Sequence, residues 1–370
     1  MNLNFNDFIY NCDSDIVCHK FLLGLKQGKT LESAARTVME SLDGAFSVTG
    51  ITGDGEFFAF KDPHGIKPLC AGHDPNAATF AFSSETVSLD MNSFVRDFEL
   101  NPGELVTVSS QGFKRTQIIQ KPREAFCAFE YAYFARPDST FGGDKYVYEM
   151  REEFGRNIVR EFQEIAEDGD IIMSVPETGD DSAMGVHEES GLRWERASRR
   201  HRYVTERAFI LLNTERFSTI DKKINILGSK VAGKRVIITE DSIVRGDTTK
   251  IIIEKLRKAG AKKVYVFVTF PRIIGPCFYG IDMSTYGQLV GSRYDAEGIA
   301  KIIGADKVCY QSIEGLIRAT GRSEDQLCMA CINGKYPTPC AQKMADVMKK
   351  RFQEGFEEKN RIYESEEAQP

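Results

Sequence analysis

One run constrains this chain more than any other: Val236-Ile-Ile-Thr-Glu-Asp-Ser-Ile-Val-Arg-Gly-Asp-Thr-Thr-Lys250. An unbroken apolar strand delivers two adjacent carboxylates, Glu240 and Asp241, into a short loop containing Gly246. Thr248 and Thr249 then open a helix. A strand without polar alternation must be covered on both faces, which is the situation of a parallel sheet. The start of the following helix presents unpaired N–H groups and a positive dipole end, suited to a phosphate monoester. Beside a phosphate, two carboxylates would repel unless they hold sugar hydroxyls or share a Mg²⁺ with the ligand. An ordinary strand–turn–helix with Asp as N-cap is the plainer alternative, and the length of the pattern disfavours it.

The flanking sequence repeats the same alternation. Tyr146 to Ile165 carries Met150, Phe154, Ile158 and Phe162 at helical spacing, followed by the strand Ile171 to Val175. Arg207 to Leu212, Lys234 to Thr239 and Val264 to Thr269 read as further buried strands. The helix Thr248 to Ala259 should stop at Gly260. Strand–helix–strand repetition predicts a doubly wound α/β domain with its ligand at the carboxyl ends of the strands. Ala341 to Phe356 reads as an amphipathic helix before an acidic tail. The first 120 or so residues differ. Short runs at Ala45–Gly53, Phe57–Phe60, Thr79–Phe82 and Glu104–Val108, after a helical stretch from Ile16 to Met39, predict an α+β layer domain with hairpins.

Composition narrows the class. With 370 residues the chain has room for two domains, and its 42% apolar and 28% charged residues belong to a globular protein. A net charge of -6 argues against a general nucleic-acid binder. The longest candidate for a membrane span, Val264 to Ile281, is interrupted by Pro271, Arg272 and Pro276. The N-terminal sequence shows no secretory signal, so the nine cysteines read as cytoplasmic thiols or metal ligands before disulfides.

At the EDSIVRGDTTK run the sequence resembles the phosphoribosyl pyrophosphate (PRPP) loop of type I phosphoribosyltransferases, in the form found in the amidophosphoribosyltransferase family. Glu130-Tyr-Ala-Tyr-Phe-Ala-Arg-Pro-Asp-Ser139, Val175-Pro-Glu-Thr178, Arg202-Tyr203 and Pro276-Cys-Phe-Tyr-Gly-Ile-Asp282 agree with it. Leu42-Asp-Gly-Ala and Asp62-Pro-His-Gly-Ile-Lys-Pro-Leu69 resemble the later part of that family's glutaminase domain. The resemblance implies a partial α+β Ntn-hydrolase (class II glutamine amidotransferase) domain over 1–124. A type I phosphoribosyltransferase domain, a mainly parallel sheet with helices on both faces, follows over 125–345, and a C-terminal helix and tail over 346–370.

The implied reaction forms 5-phosphoribosylamine and pyrophosphate from PRPP and ammonia, or glutamine, as the first committed step of purine synthesis. A non-catalytic PRPP-binding regulator of the same fold is the alternative. The resemblance assigns Glu240 and Asp241 to the ribose and one Mg²⁺ per subunit, Thr178 to the metal site, and Ser242, Arg245, Gly246, Asp247, Thr248 and Thr249 to the 5′-phosphate cradle. Arg202, Tyr203, Arg207 and Lys223 fall where the family keeps basic and aromatic residues near pyrophosphate. His201 replaces that motif's Asn, one extra residue separates Tyr203 from Arg207, and Glu240 replaces the commoner Asp. No protein nucleophile is needed at this site, because positioning and charge stabilisation can carry the displacement.

Cys328-Met-Ala-Cys331 alone is compatible with redox chemistry, zinc or neither. In one subset of the family four cysteines hold a [4Fe-4S] cluster, and Cys127, Cys277, Cys328 and Cys331 stand at those places. A Cys₄ zinc site has the same inventory. The family's N-terminal cysteine nucleophile has no counterpart here: residue 2 is Asn2, and Cys12 is internal. Asp13 matches the residue that holds the glutamine α-amino group. The expectation is therefore a chain joining the pattern partway through the glutaminase domain, with that half inactive here. It would be a fragment, would be completed by a separate N-terminal glutaminase polypeptide, or would work with free ammonia. The resemblance also implies a homodimer or homotetramer.

Overall fold

The computed structural model describes residues 13–109, 112–120, 122–201, 224–283 and 285–356. The expected strand at 207–212 lies outside them. The N-terminal helical stretch is two helices, α1 (Asp13–Gly28) and α2 (Leu31–Ser41), where the sequence suggested one. The break has a local cause. Lys29 adopts φ 58°, and Thr30 caps α2 by accepting from Ser33 N while Ser33 Oγ accepts from Thr30 N.

The strands that follow are β1 (Ser47–Ile51), β2 (Phe57–Lys61), β3 (Cys70–His73), β4 (Phe80–Ser83), β5 (Val95–Glu99), β6 (Glu104–Ser109) and β7 (Gly112–Gln117), with the short helix α3 (Thr86–Met91) between β4 and β5. They form an antiparallel sheet ordered β1-β2-β6-β7 and another ordered β4-β3-β5. Phe58, Phe60 and Leu105 pack on α2 through Leu31, Ala35 and Val38. The Asp62-Pro-His-Gly motif is a turn held by its own carboxylate. Asp62 is fully buried and accepts from the backbone N–H of Phe46, His64 and Ile66.

The chain passes directly from this unit into the next. Ala125 N donates to His64 O and Cys127 N to Ile66 O, and Lys67 Nζ meets Glu130 Oε1 at 2.6 Å. β8 (Phe126–Cys127) leads into one turn of π-helix at Glu130–Phe134, and α4 (Val147–Glu161) and α5 (Gln163–Asp168) follow. The second helical stretch is also divided, at Phe162 with ψ 47°. Next come β9 (Ile171–Ser174), α6 (Asp180–Ser190), β10 (Arg193–Trp194), β11 (Ser198–Arg200), β12 (Ile224–Ile226), β13 (Arg235–Glu240), α7 (Asp247–Lys258), β14 (Lys263–Val268), α8 (Ala296–Ile303), β15 (Lys307–Tyr310), α9 (Ile313–Thr320), β16 (Leu327–Cys328) and α10 (Pro339–Gln353). The expected boundary between 345 and 346 falls inside α10.

The main sheet is wholly parallel, ordered β10-β9-β13-β14-β15. The interior of β13 is buried on both faces: Val236 and Ile238 join one core, Ile237 the other. β11 pairs with β12, and β16 pairs with β8. α4 and α6 lie against each other through two glycines. A Cβ on Gly155 would sit 2.1 Å from Ser182 O, and one on Gly185 would sit 1.8 Å from Glu152 O. Neither backbone can retreat without opening the α4–β9 core. Gly185→Ala should therefore destabilise the fold by about 1–3 kcal/mol, the usual penalty of overpacking, read as a lowered midpoint in thermal or urea denaturation.

Candidate active site

β13 ends on Glu240 and Asp241, which are 6% and 5% exposed. Because β9 runs parallel beside it, the turn after β9 arrives at the same edge. That turn carries Thr178. Thr239 Oγ1 donates to Gly179 O at 3.0 Å, and a Cβ on Gly179 would stand 2.6 Å from Thr239 O, so the turn lies directly on β13. The Pro176–Glu177 peptide is cis. Thr178 hydrogen-bonds the Asp241 carboxylate. Ser242 Oγ donates to Asp241 Oδ1 at 2.7 Å, and Thr249 Oγ1 to Glu240 Oε2 at 3.4 Å.

The two acids are short of positive charge. Burial, then the neighbouring Asp241, pushes the Glu240 carboxyl well above the ordinary range. Burial also raises Asp241, against the opposing pull of the Thr178 and Ser242 hydroxyls and the Arg151 charge. A hard cation bound through oxygen ligands, or donated sugar hydroxyls, would relieve both. The residues present fit a Mg²⁺.

The loop beyond fits an anion. Gly246 takes φ 87°, and a Cβ there would press on Ile303 Cγ2 at 3.2 Å, so glycine is required. It is the N-cap of α7 and supplies no side-chain cap, leaving the helix start to a ligand. Asp247, Thr248 and Thr249 form the first turn, and Arg245 Nη2 donates to Gln288 Oε1 at 2.6 Å. The structure thus brings together Thr178, Glu240, Asp241, Ser242 and the 245–249 loop. Arg202, Tyr203, Arg207 and Lys223 lie outside the described residues. Asp13 stands exposed in the first turn of α1, in the other domain.

Sequence reasoning missed Arg151. It is 4% exposed, donates from Nε to Tyr131 O at 2.9 Å and from Nη2 to Ala135 O at 2.7 Å, and lies 3.5 Å from Asp181 Oδ2. It fastens the Glu130–Phe134 turn to α4 while extending its charge towards Asp241. The available signal was an arginine on the apolar stripe Val147, Met150, Phe154, Ile158.

The four singled-out cysteines also converge. Cys127 and Cys328 are register partners across β8 and β16. Ile274 N and Gly275 N both donate to Cys331 O, which brings the segment containing Cys277 alongside. Burial raises all four thiols, Cys127 to about 12, and the other three sulfurs add to the effect at Cys331. Backbone N–H groups already point at the sulfurs: Phe129 at Cys127, Tyr279 and Ile281 at Cys277, and Ala330 at Cys328. None of the four is in a disulfide. Four converging sulfurs, Cys127 and Cys328 buried and Cys277 and Cys331 half-buried, fit a cationic inorganic centre. Among the described residues no three such groups crowd closely enough to hold a single metal ion.

An acidic pair at the carboxyl edge of a parallel sheet, followed by a glycine-led helix, is an arrangement suited to a sugar-phosphate ligand. Comparison with known proteins agrees. Residues 6–91 match the model of a glutamine amidotransferase domain. The chain is 35% identical to the amidophosphoribosyltransferase of Methanocaldococcus jannaschii over 348 residues, covering 90% of this chain and 72% of the relative. With the Bacillus subtilis enzyme the identity is 33%, covering 90% and 69%. Among solved structures, the glutamine PRPP amidotransferase from B. subtilis complexed with ADP and GMP superposes with a TM-score of 0.79 at 34% identity, over 89% of this chain and 71% of that one. The chain belongs to the amidophosphoribosyltransferase family.

The raised carboxyls make a stability prediction. A carboxyl whose folded-state pKa lies above its unfolded value ionises later when folded. Stability therefore falls as pH climbs from the unfolded carboxylate range through the raised values. The Glu240→Gln/Asp241→Asn double variant escapes this loss. In EDTA-containing buffer it should melt with the parent at the acid end and increasingly above it as pH rises to neutrality, in thermal denaturation followed against pH.

Proposed function

We propose that the chain forms 5-phosphoribosylamine and pyrophosphate from PRPP and a nitrogen nucleophile, the first step of purine biosynthesis. One observation carries this reading: buried Glu240 and Asp241 lead straight into the uncapped start of α7 at the carboxyl end of β13. That spacing suits a ribose 5-phosphate, with its hydroxyls on the acids and its phosphate on the 245–249 loop. The fold read this way is a type I phosphoribosyltransferase domain after an Ntn-hydrolase-type glutaminase domain.

In the reaction ammonia attacks the ribose C1, the C1–O bond breaks, and its electron pair leaves with pyrophosphate. Glu240 and Asp241 hold and orient the ribose. Ser242, Arg245, Gly246, Asp247, Thr248 and Thr249 grip the 5′-phosphate, and the family resemblance assigns Arg202, Tyr203, Arg207 and Lys223 to the departing pyrophosphate. Arg151 pulls the Asp241 carboxyl back towards its ionised form, against the effect of burial. Mg²⁺, held by Glu240 and Asp241 with Thr178, supplies charge neutralisation on pyrophosphate when bound. Ammonia is the direct nitrogen donor, with glutamine as its source where a complete glutaminase acts and Asp13 holds the α-amino group.

A [4Fe-4S] centre on Cys127, Cys277, Cys328 and Cys331 is part of the same proposal, in a structural role. A cytoplasmic setting and a homodimer or homotetramer complete the reading.

Anaerobically purified protein should release pyrophosphate from PRPP with ammonium chloride and Mg²⁺, and a parallel assay with glutamine separates the two nitrogen sources. Asp241→Asn should lower kcat/KM on the order of 10²- to 10³-fold. PRPP binding without turnover in the parent would favour the regulatory alternative. For the centre, Cys331→Ser should lose iron and inorganic sulfide and melt earlier, while the exposed Cys18→Ser keeps both. Equal metal content in the two variants would count against it.

A further inference from the structure

Away from the Glu240 site, a cavity of about 440 Å³ lies on the seam between the two domains. Lys61, at the end of β2, is 4% exposed and reaches its wall, yet its amine has no hydrogen bond or ion pair among the described residues. The adjacent Asp62 is its first counter-charge, but that carboxylate is taken up in hydrogen bonds from three backbone N–H groups and gives the amine none. Glu99 faces the same cavity. Its Oε1 accepts from Gly142 N at 2.9 Å, and its other oxygen has no described partner. Burial is the leading influence on both groups, pulling the Lys61 pKa down and pushing the Glu99 pKa up.

The other two charges on the wall are already engaged. Arg322 donates from Nη1 to Glu124 Oε1 and from Nε to Tyr131 OH at 2.6 Å, and Glu124 Oε2 accepts from Gln326 at 3.1 Å. Arg322 also lies over the Phe126 ring, 4.9 Å from its centroid. One amine and one carboxylate oxygen are left lining the cavity, with no ion pair between them among the described residues. A lone anion would meet Lys61 but also Glu99 and Glu124. A lone cation would meet Glu99 but also Lys61 and Arg322. Only a ligand bearing both signs at short separation answers both, and the volume falls in the range of small-molecule sites.

We propose that this seam cavity binds a zwitterionic α-amino acid, its carboxylate on Lys61 and its ammonium on Glu99. Lys61 and Glu99 both belong to the first domain, and Arg322 of the second lines the same cavity. The site is independent of the acid pair and of any bound metal, so it stands or falls apart from the proposed reaction.

The test uses the full chain with the common α-amino acids, omitting glutamine because the amidotransferase domain would itself be expected to bind it. Acetate and methylamine serve as single-charge controls. Isothermal titration and thermal shift should find at least one amino acid that binds and raises Tm, with neither control doing so. Lys61→Met and Glu99→Gln should each weaken that binding roughly tenfold or more, the loss of one charge-assisted hydrogen bond. Without ligand, Lys61→Met should match or exceed the parent Tm, since it removes a buried unpaired charge. If that variant fails to fold, Glu99→Gln carries the test, because its amide oxygen can still accept from Gly142 N. No binding by any amino acid, equal binding of acetate or methylamine, or unchanged affinity in Glu99→Gln would overturn the proposal.

Discussion

Two carboxylates side by side at the buried end of a central strand form the constraint around which the α/β domain is arranged. Such a pair is unfavourable in a protein interior unless cations or donors reach it. The fold supplies little relief. Ser242, Thr249 and Thr178 offer hydroxyls, and Arg151 offers a charge already shared with two backbone carbonyls and Asp181. What remains is left for a ligand. The parallel sheet is the device that makes this workable, because it brings the ends of β9 and β13 to one edge. Gly179 then lets the turn after β9 lie on Thr239, and Gly246 lets the loop after β13 pass Ile303.

The joint between the domains and the cysteine set are one piece of structure. The Asp62 turn presents its backbone oxygens to residues 125 and 127. That fixes β8, which pairs with β16 and sets Cys127 beside Cys328. Cys331 then holds the 274–275 backbone. Anything bound by the four sulfurs would therefore tie the C-terminal segment to the crossing point of the chain. Loss of it would loosen the seam before it touched the Glu240 edge.

Much of the α/β architecture was legible because unbroken apolar strands and helical periodicity are local signals. β9, β13 and β14 stand within a residue or two of expectation, as does α7, and the acid pair and its loop follow from them. The helix breaks at Lys29 and Phe162 were not legible: both interrupt stretches whose apolar spacing continues, so periodicity reads through them. β3 and β5 escaped because Cys-Ala-Gly-His and Val-Arg-Asp-Phe-Glu carry weak strand signals. Their place is set by pairing across the sheet and not by propensity. Arg151 escaped for the same reason, since its partners are twenty and sixteen residues away.

The charged groups of this chain sort by whether the fold completes them. Surface networks such as Arg235 with Asp168 and Asp170, or Arg160 with Glu153 and Glu189, are saturated and belong to architecture. Asp62 is buried as deeply as any catalytic acid, yet three N–H donors satisfy it, and it serves the turn it holds and the charge of neighbouring Lys61. Burial alone is therefore no mark of function here. The groups left incomplete among the described residues include the Glu240–Asp241 pair, the four converging thiols, and Lys61 and Glu99 on the wall of the seam cavity. A buried ionisable group left without its full set of partners costs stability that packing could have kept, so the persistence of such groups here is a physical argument that each set is completed from outside the chain.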